Sequence, residues 1–232
     1  MSVARNVQSV RERISGAARR ASRDPSRISL MAVSKTFSSQ LIREAYDCGL
    51  RLFGESRVRE FVEKYQTLRD LQDAKWHMIG HLQTNKASKA AELFASIDSV
   101  DSVRLAEKLN SEAGRLQKTL SVLIEINIGG ELVKSGIAPD APELNKLLQA
   151  APKLEHLEFR GLMGVPPFSE DADQTRLYFR KLRELRDQIA ARQLPAVSME
   201  VLSMGMSHDF ELAIAEGSTC VRVGTAIFGK RL

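Results

Sequence analysis

Along this chain, short apolar runs of strand length alternate with longer stretches whose apolar residues recur every three or four positions, almost from end to end. Val3, Val7, Val10 and Ile14 lie at helical spacing with arginines between them, which predicts an amphipathic helix at the N-terminus. Eight strand candidates follow, over residues 28–34, 51–53, 76–79, 95–97, 120–127, 157–162, 199–204 and 219–223. Helical patterns fill the intervals, over 38–48, 57–68, 86–93, 102–113, 141–150, 173–192 and 208–215. Gly49 and Gly217 stand just past two of these, where a helix end favours a residue free to turn left-handed.

Strand–helix repetition of this kind builds a parallel sheet from βα units. Eight such strands in 232 residues predict an α/β fold, a single (β/α)8 TIM-type barrel with an additional N-terminal helix, because closing the sheet leaves no edge unpaired. A doubly wound open sheet is the alternative. The stretch 164–171, with Pro166 and Pro167, is the nearest thing to a linker, yet it directly follows a strand, where a barrel places a functional loop. Residues 1–232 are therefore expected to form one domain.

Composition removes several function classes. With 43% hydrophobic and 27% charged residues, the chain can bury one large core without staples. The net charge of +5 comes from 34 basic and 29 acidic residues spread along the sequence, so nucleic acid is not an expected partner and local basic sites suit small anions. Cys48 and Cys220 do not make a disulfide framework, the N-terminal stretch lacks the apolar core of a secretory signal, and no apolar run approaches the roughly 20 residues that span a bilayer. A cytoplasmic protein without membrane attachment is expected. His77, His81, His156 and His208 lack metal-ligand spacing, and no structural metal is expected.

In a β/α barrel the active site forms at the C-terminal ends of the strands, often with a phosphate held after strands seven and eight. The first strand ends Ala32-Val33-Ser34-Lys35-Thr36, delivering a lysine to the mouth. Burial there disfavours the ammonium and frees the amine for imine formation, whereas a lysine snorkelling to solvent is the plainer alternative. The seventh strand ends Leu202-Ser203-Met204-Gly205-Met206-Ser207, and Ser207 is predicted to cap the next helix beside backbone N–H groups that suit an anion. After the eighth, Gly224 lets the backbone approach a phosphate and Thr225 supplies a hydroxyl. Arg222 alternates with Val221 and Val223 and is expected to point into the barrel, where it needs an acceptor: either Glu200, or a ligand nitrogen or phosphate. His77, within Trp76-His77-Met78-Ile79-Gly80-His81, is either a packing residue or a cofactor contact.

These residues belong to longer stretches: AVSKT around Lys35, FGESRVRE from Phe53, WHMIGHLQTNK from Trp76, INIGGELVKSG from Ile126, GLMGVPP from Gly161 and LSMGMSHDFELAIAEGSTCVRVGTAIFG from Leu202. On them the chain resembles, over nearly its whole length, the pyridoxal phosphate homeostasis family, related in fold to the barrel domain of alanine racemase. The resemblance implies pyridoxal 5′-phosphate as cofactor, held as a Schiff base on Lys35, with Arg222 beside the pyridine nitrogen. It places the phosphate on Ser203, Met206, Ser207, Gly224 and Thr225, and Ser56 and His77 join the cofactor-binding set. Ser56 stands where the family usually has asparagine, Glu125 where glutamine is common, and His208 where an acidic residue is frequent. An arginine at the pyridine nitrogen disfavours its protonation and makes the ring a poorer electron sink. The implied function is therefore that of a carrier and regulator in intracellular pyridoxal phosphate homeostasis, acting without substantial catalysis, as a monomer, and serving pyridoxal-phosphate-dependent apoenzymes as recipients. A pyridoxal-phosphate-dependent amino-acid racemase, and a Schiff-base aldolase on a phosphorylated substrate, are the alternatives.

Overall fold

The computed structural model describes residues 2–131 and 135–230. Leu132, Val133 and Lys134 of the INIGGELVKSG stretch lie outside the described residues. The chain opens with α1 (Val3–Arg20), whose N-cap Ser2 accepts a hydrogen bond from the Arg5 N–H. Then follow β1 (Ser29–Val33), α2 (Ser39–Asp47), β2 (Leu52–Glu55), α3 (Val58–Gln66), β3 (Lys75–Met78), α4 (Ala87–Leu93), β4 (Ser96–Val100) and α5 (Val103–Arg115). The second half comprises β5 (Leu120–Ile126), α6 (Pro142–Ala150), β6 (Leu157–Gly164), α7 (Ala172–Ala191), β7 (Val197–Ser203), α8 (Phe210–Ala215), β8 (Cys220–Val223) and the short α9 (Thr225–Phe228). The strands are parallel and close in sequence order into one barrel, β1 pairing with both β2 and β8. Among the described residues, no helix is long and apolar enough to cross a membrane.

Alternation along each strand divides an inner wall from an outer layer. On the outside, Phe53 of β2 stacks on Trp76 of β3 at 4.9 Å between ring centroids, and Phe61 of α3 packs against both Trp76 and Phe94. On the inside the backbones come close. A Cβ on Gly161 would lie 1.8 Å from the Val201 carbonyl oxygen, so only glycine lets β6 and β7 pair there, beside a shift in their register. Helix α1 lies outside the ring of βα units, burying Val3, Val7, Val10 and Ile14 against α8 and α9. Asn6 Nδ2 donates to the Ile227 carbonyl at 2.8 Å and Arg13 pairs with Glu211 at 2.8 Å, fixing the helix on that face.

Polar residues account for the strand ends that differ from expectation. The fourth strand continues past Ile97 because Asp98 turns into the barrel and Ser99 Oγ donates to the Gly80 carbonyl. The second continues to Glu55, whose carboxylate is fully buried. Helix α8 starts at Phe210 rather than at His208.

Candidate functional site

Lys35 follows β1 directly, half-buried, in a turn whose flanking residues are tied down on both sides. Ser34, before it, donates through Oγ to Glu55 Oε1 at 2.7 Å. Thr36, after it, has φ of 67° and donates its N–H to Glu60 Oε1 at 2.7 Å. Lys64 on α3 joins these groups, reaching Glu55 at 3.1 Å, Glu60 at 2.9 Å and the Ser34 carbonyl at 3.1 Å. Burial raises the pKa of the Glu55 carboxyl above its ordinary value, against the pull of Lys64 and Ser34. The turn carrying the amine is thus bolted to β2 and α3 by a network that the sequence did not single out. The available signal was a charged residue ending an apolar strand, followed by Glu60 and Lys64 at i, i+4.

Across the mouth, the Arg222 side chain points into the barrel and is only 4% exposed. Nη1 donates to Ser203 Oγ at 2.7 Å and Nη2 to the Gly164 carbonyl at 2.9 Å. Its expected carboxylate partner is corrected: Glu200 pairs instead with Arg160, at 3.0 Å. Glu200 lies before the end of β7, an odd number of residues from the inward-facing Ser203, so its side chain leaves the wall on the other side. Arg222 makes no ion pair among the described residues, and both its acceptors are neutral. Burial lowers its pKa, yet a guanidinium starts so high that it stays cationic at neutral pH.

Ser207 also requires a correction. It does not cap α8, which begins three residues later behind Asp209. Its Oγ instead accepts from the N–H groups of Gly224 and Ala226, at 3.2 and 3.3 Å, tying the loop after β7 to the loop after β8. With both acceptor positions used, its own proton is left to donate. Met206 is half-buried and donates its N–H to Asp209 Oδ1 at 2.6 Å. Thr225 is exposed, and a Cβ on Gly224 would press to 3.3 Å from the Val33 carbonyl oxygen. Ser203, Met206, Ser207, Arg222, Gly224 and Thr225 therefore gather where β7 and β8 end, and β8 pairs with β1, the strand that leads to Lys35, through Met31 and Arg222. Ser56 follows β2 at the same end, its backbone packed under Gly80.

His77 is not brought to this mouth. It lines a cavity entered from the end where the strands begin, and its Nδ1 lies 3.0 Å from Asp98 Oδ2. Position explains the difference: His77 sits within β3, two residues before Ile79, so its inward side chain meets a lower layer of the barrel. A residue that sequence reading noted only as a family departure takes its place. Glu125 pairs in register with Met163, which pairs with Ser203, the acceptor of Arg222, so these residues run around the inner wall together. Glu125 is 8% exposed; Oε1 accepts from Ser135 Oγ at 3.0 Å, and the buried Oε2 has no hydrogen-bond partner among the described residues. Burial raises its pKa, with Asp101 acting in the same sense and Ser135, His81 and Arg222 opposing.

Comparison with known proteins agrees with this placement of elements. The family described as "Alanine racemase, N-terminal domain" matches residues 4–231. A pyridoxal phosphate homeostasis protein of Aquifex aeolicus is 44% identical over 231 residues, covering 100% of this chain and 99% of that one. The solved structure of PipY from Synechococcus elongatus with pyridoxal phosphate bound is 38% identical, with a TM-score of 0.85 and coverage of 98% and 100%. An alanine racemase from Clostridium difficile shares the fold at a TM-score of 0.76 and 15% identity, 99% of this chain overlying 56% of that one. The chain belongs to the pyridoxal phosphate homeostasis protein family, on the barrel fold of the alanine racemase N-terminal domain.

Proposed function

We propose that this chain binds pyridoxal 5′-phosphate as a Schiff base on Lys35 and serves intracellular homeostasis of that cofactor, as a monomeric carrier and regulator rather than a catalyst. The observation that carries the reading is Arg222: a buried guanidinium that, among the described residues, has two neutral acceptors and no ion pair, with Asp98, Asp209 and Glu125 acting only without direct contact, has N–H donors to spare for a ligand. Two further features fit the same group. The buried Oε2 of Glu125 calls for a polar atom that the described residues do not supply, because an unmade buried hydrogen bond costs about 1–3 kcal/mol. The free proton of Ser207, with the exposed Thr225 beside it, offers donors to a phosphate.

Roles follow from these positions. Lys35 would supply the amine that holds the aldehyde, and the ties on Ser34 and Thr36 hold its backbone in place. Ser203 and Gly164 hold Arg222 in place, where it would face the ring nitrogen, and Ser56, Met206 and Gly224 would line the walls around ring and phosphate. Bound pyridoxal phosphate supplies an electron-withdrawing ring, and a guanidinium at its nitrogen keeps that ring unprotonated and weakly activating. This favours storage and hand-over to apoenzymes above racemisation. The relatives' names and the ligand of PipY support the choice of cofactor.

Borohydride reduction of the purified protein followed by peptide mass analysis tests the proposal. A pyridoxyl adduct on Lys35, absent from Lys35→Ala while the circular dichroism is retained, is the expected result. A protein that remains colourless with added cofactor, or an adduct that survives in Lys35→Ala, refutes it. Rapid α-deuterium exchange into alanine that depends on Lys35 would instead make the chain a racemase.

A further inference from the structure

The end of the barrel opposite Lys35 holds a cavity of about 1040 Å³, of the size of known small-molecule pockets, roughly 300–1,000 Å³. Its inner wall is polar and ordered. Asp98, 1% exposed, accepts from Ser96 Oγ at 2.6 Å through Oδ1 and holds His77 Nδ1 at 3.0 Å through Oδ2. In the neutral ring, the carboxylate selects the tautomer with the proton on Nδ1, which leaves Nε2 as an acceptor. No hydrogen bond to Nε2 occurs among the described residues, and the His77 side chain is 21% exposed into the cavity that it lines. Cys220 shares the wall, but burial pushes its thiol up to about 12, so it offers no thiolate near neutral pH and the site is one for reversible binding.

The rim sets the ligand's charge. Three cations stand near the starts of neighbouring strands: Arg27, two residues before β1 and near Asp24, Arg51 just before β2, and Lys75 as the first residue of β3. Arg51 is paired with Asp73 at 2.6 Å, whereas Arg27 and Lys75 make no ion pair among the described residues. On the far wall Arg160 and Glu200 neutralise each other. The positive potential is therefore concentrated on one side of the entrance, with a hydrogen-bond acceptor deeper inside.

We infer that this cavity is a second binding site, for a small hydroxylated organic anion whose phosphate or carboxylate sits at Arg27 and Lys75 and whose hydroxyl donates to Nε2 of His77. None of these residues belongs to the Lys35 mouth, so the inference stands or falls separately from the cofactor reading.

The imidazole resonances of His77, assigned with His77→Asn, report the test when the protein is titrated separately with glycerol 3-phosphate and with glycerate, against sodium sulfate at matched ionic strength. Saturable movement of the His77 ring is expected with one or both organic anions; which of them acts distinguishes phosphate from carboxylate recognition. Lys75 is exposed, and Lys75→Glu is expected to weaken the response about tenfold, while Ser207→Ala at the other mouth leaves it in place. No saturable His77 movement, an equal response to sulfate, or a response lost in Ser207→Ala but kept in Lys75→Glu would overturn the site.

Discussion

Arg222 and Glu125 hold opposite charges in waiting on one inner wall. Among the described residues Arg222 uses only two of its five N–H donors, both on neutral acceptors, and feels Glu125, Asp98 and Asp209 without a direct ion pair; one Glu125 oxygen has no hydrogen-bond partner. Replacing Arg222 by Gln keeps a donor near Ser203 and Gly164 while removing the cation. On the proposed reading, the variant shifts the absorbance of the loaded protein and raises α-deuterium exchange into amino acids by at least about tenfold. Exchange unchanged from wild type would remove the account of its catalytic silence. For Glu125 the direction of the pKa shift makes a stability prediction. A carboxyl whose folded pKa is raised binds its proton more tightly in the native state, so stability falls as pH climbs from the unfolded value, about 4.5, to the folded one. Glu125→Gln abolishes that slope and is expected to exceed wild-type stability at neutral pH, with the two curves meeting in acid. Urea melts of the apo protein at several pH values measure this, and parallel curves would argue that Glu125 ionises without penalty.

At the scale of elements, the turn after β1 depends on α3. The carboxylate of Glu55 is fully buried and its only cationic contact among the described residues is Lys64. Lys64→Met strands that charge and frees Glu60, which holds Thr36; the expected cost is about 3–5 kcal/mol in urea unfolding, with slower covalent trapping at Lys35. Loss of stability without any change in trapping would show that the turn holds itself. This element also shows where sequence reading reached its limit. The strand before Lys35 was legible because Leu30, Met31, Ala32 and Val33 form an apolar run, and the glycines after helices marked their ends. Glu55, Glu60 and Lys64 were not, because their meaning arises only when α3 folds back over β1 and β2. The placement of His77 away from the Lys35 mouth was not legible for a related reason: a motif records which strand a residue belongs to, but its layer inside the barrel depends on strand tilt and stagger. Ser207 was assigned to the helix nearest in sequence, whereas the N–H groups it binds belong to the start of α9, 17 and 19 residues further on.

For the molecule as a whole, closure rests on backbones meeting without side chains between them. Gly161→Ala would drive a methyl group into the Val201 carbonyl, backbone against backbone, and is expected to cost about 3 kcal/mol or more and to speed hydrogen exchange along β6 and β7 before other strands. Uniform exchange across the sheet would mean that the barrel relaxes as one body. Sequence reading recovered the eightfold order, since each βα unit repeats a local pattern, but not which backbones had to touch. The pairing of Met31 with Arg222 joins the first strand to the last. Lys35 and its proposed counterpart at the ring nitrogen are therefore brought together by this pairing of first and last strands, and a bound molecule that engages both acts as a clasp over the seam. Occupancy and completeness become linked quantities: chains lacking the last strand keep Lys35 but lose Arg222, Gly224 and Thr225, and loading selectively protects those that have closed.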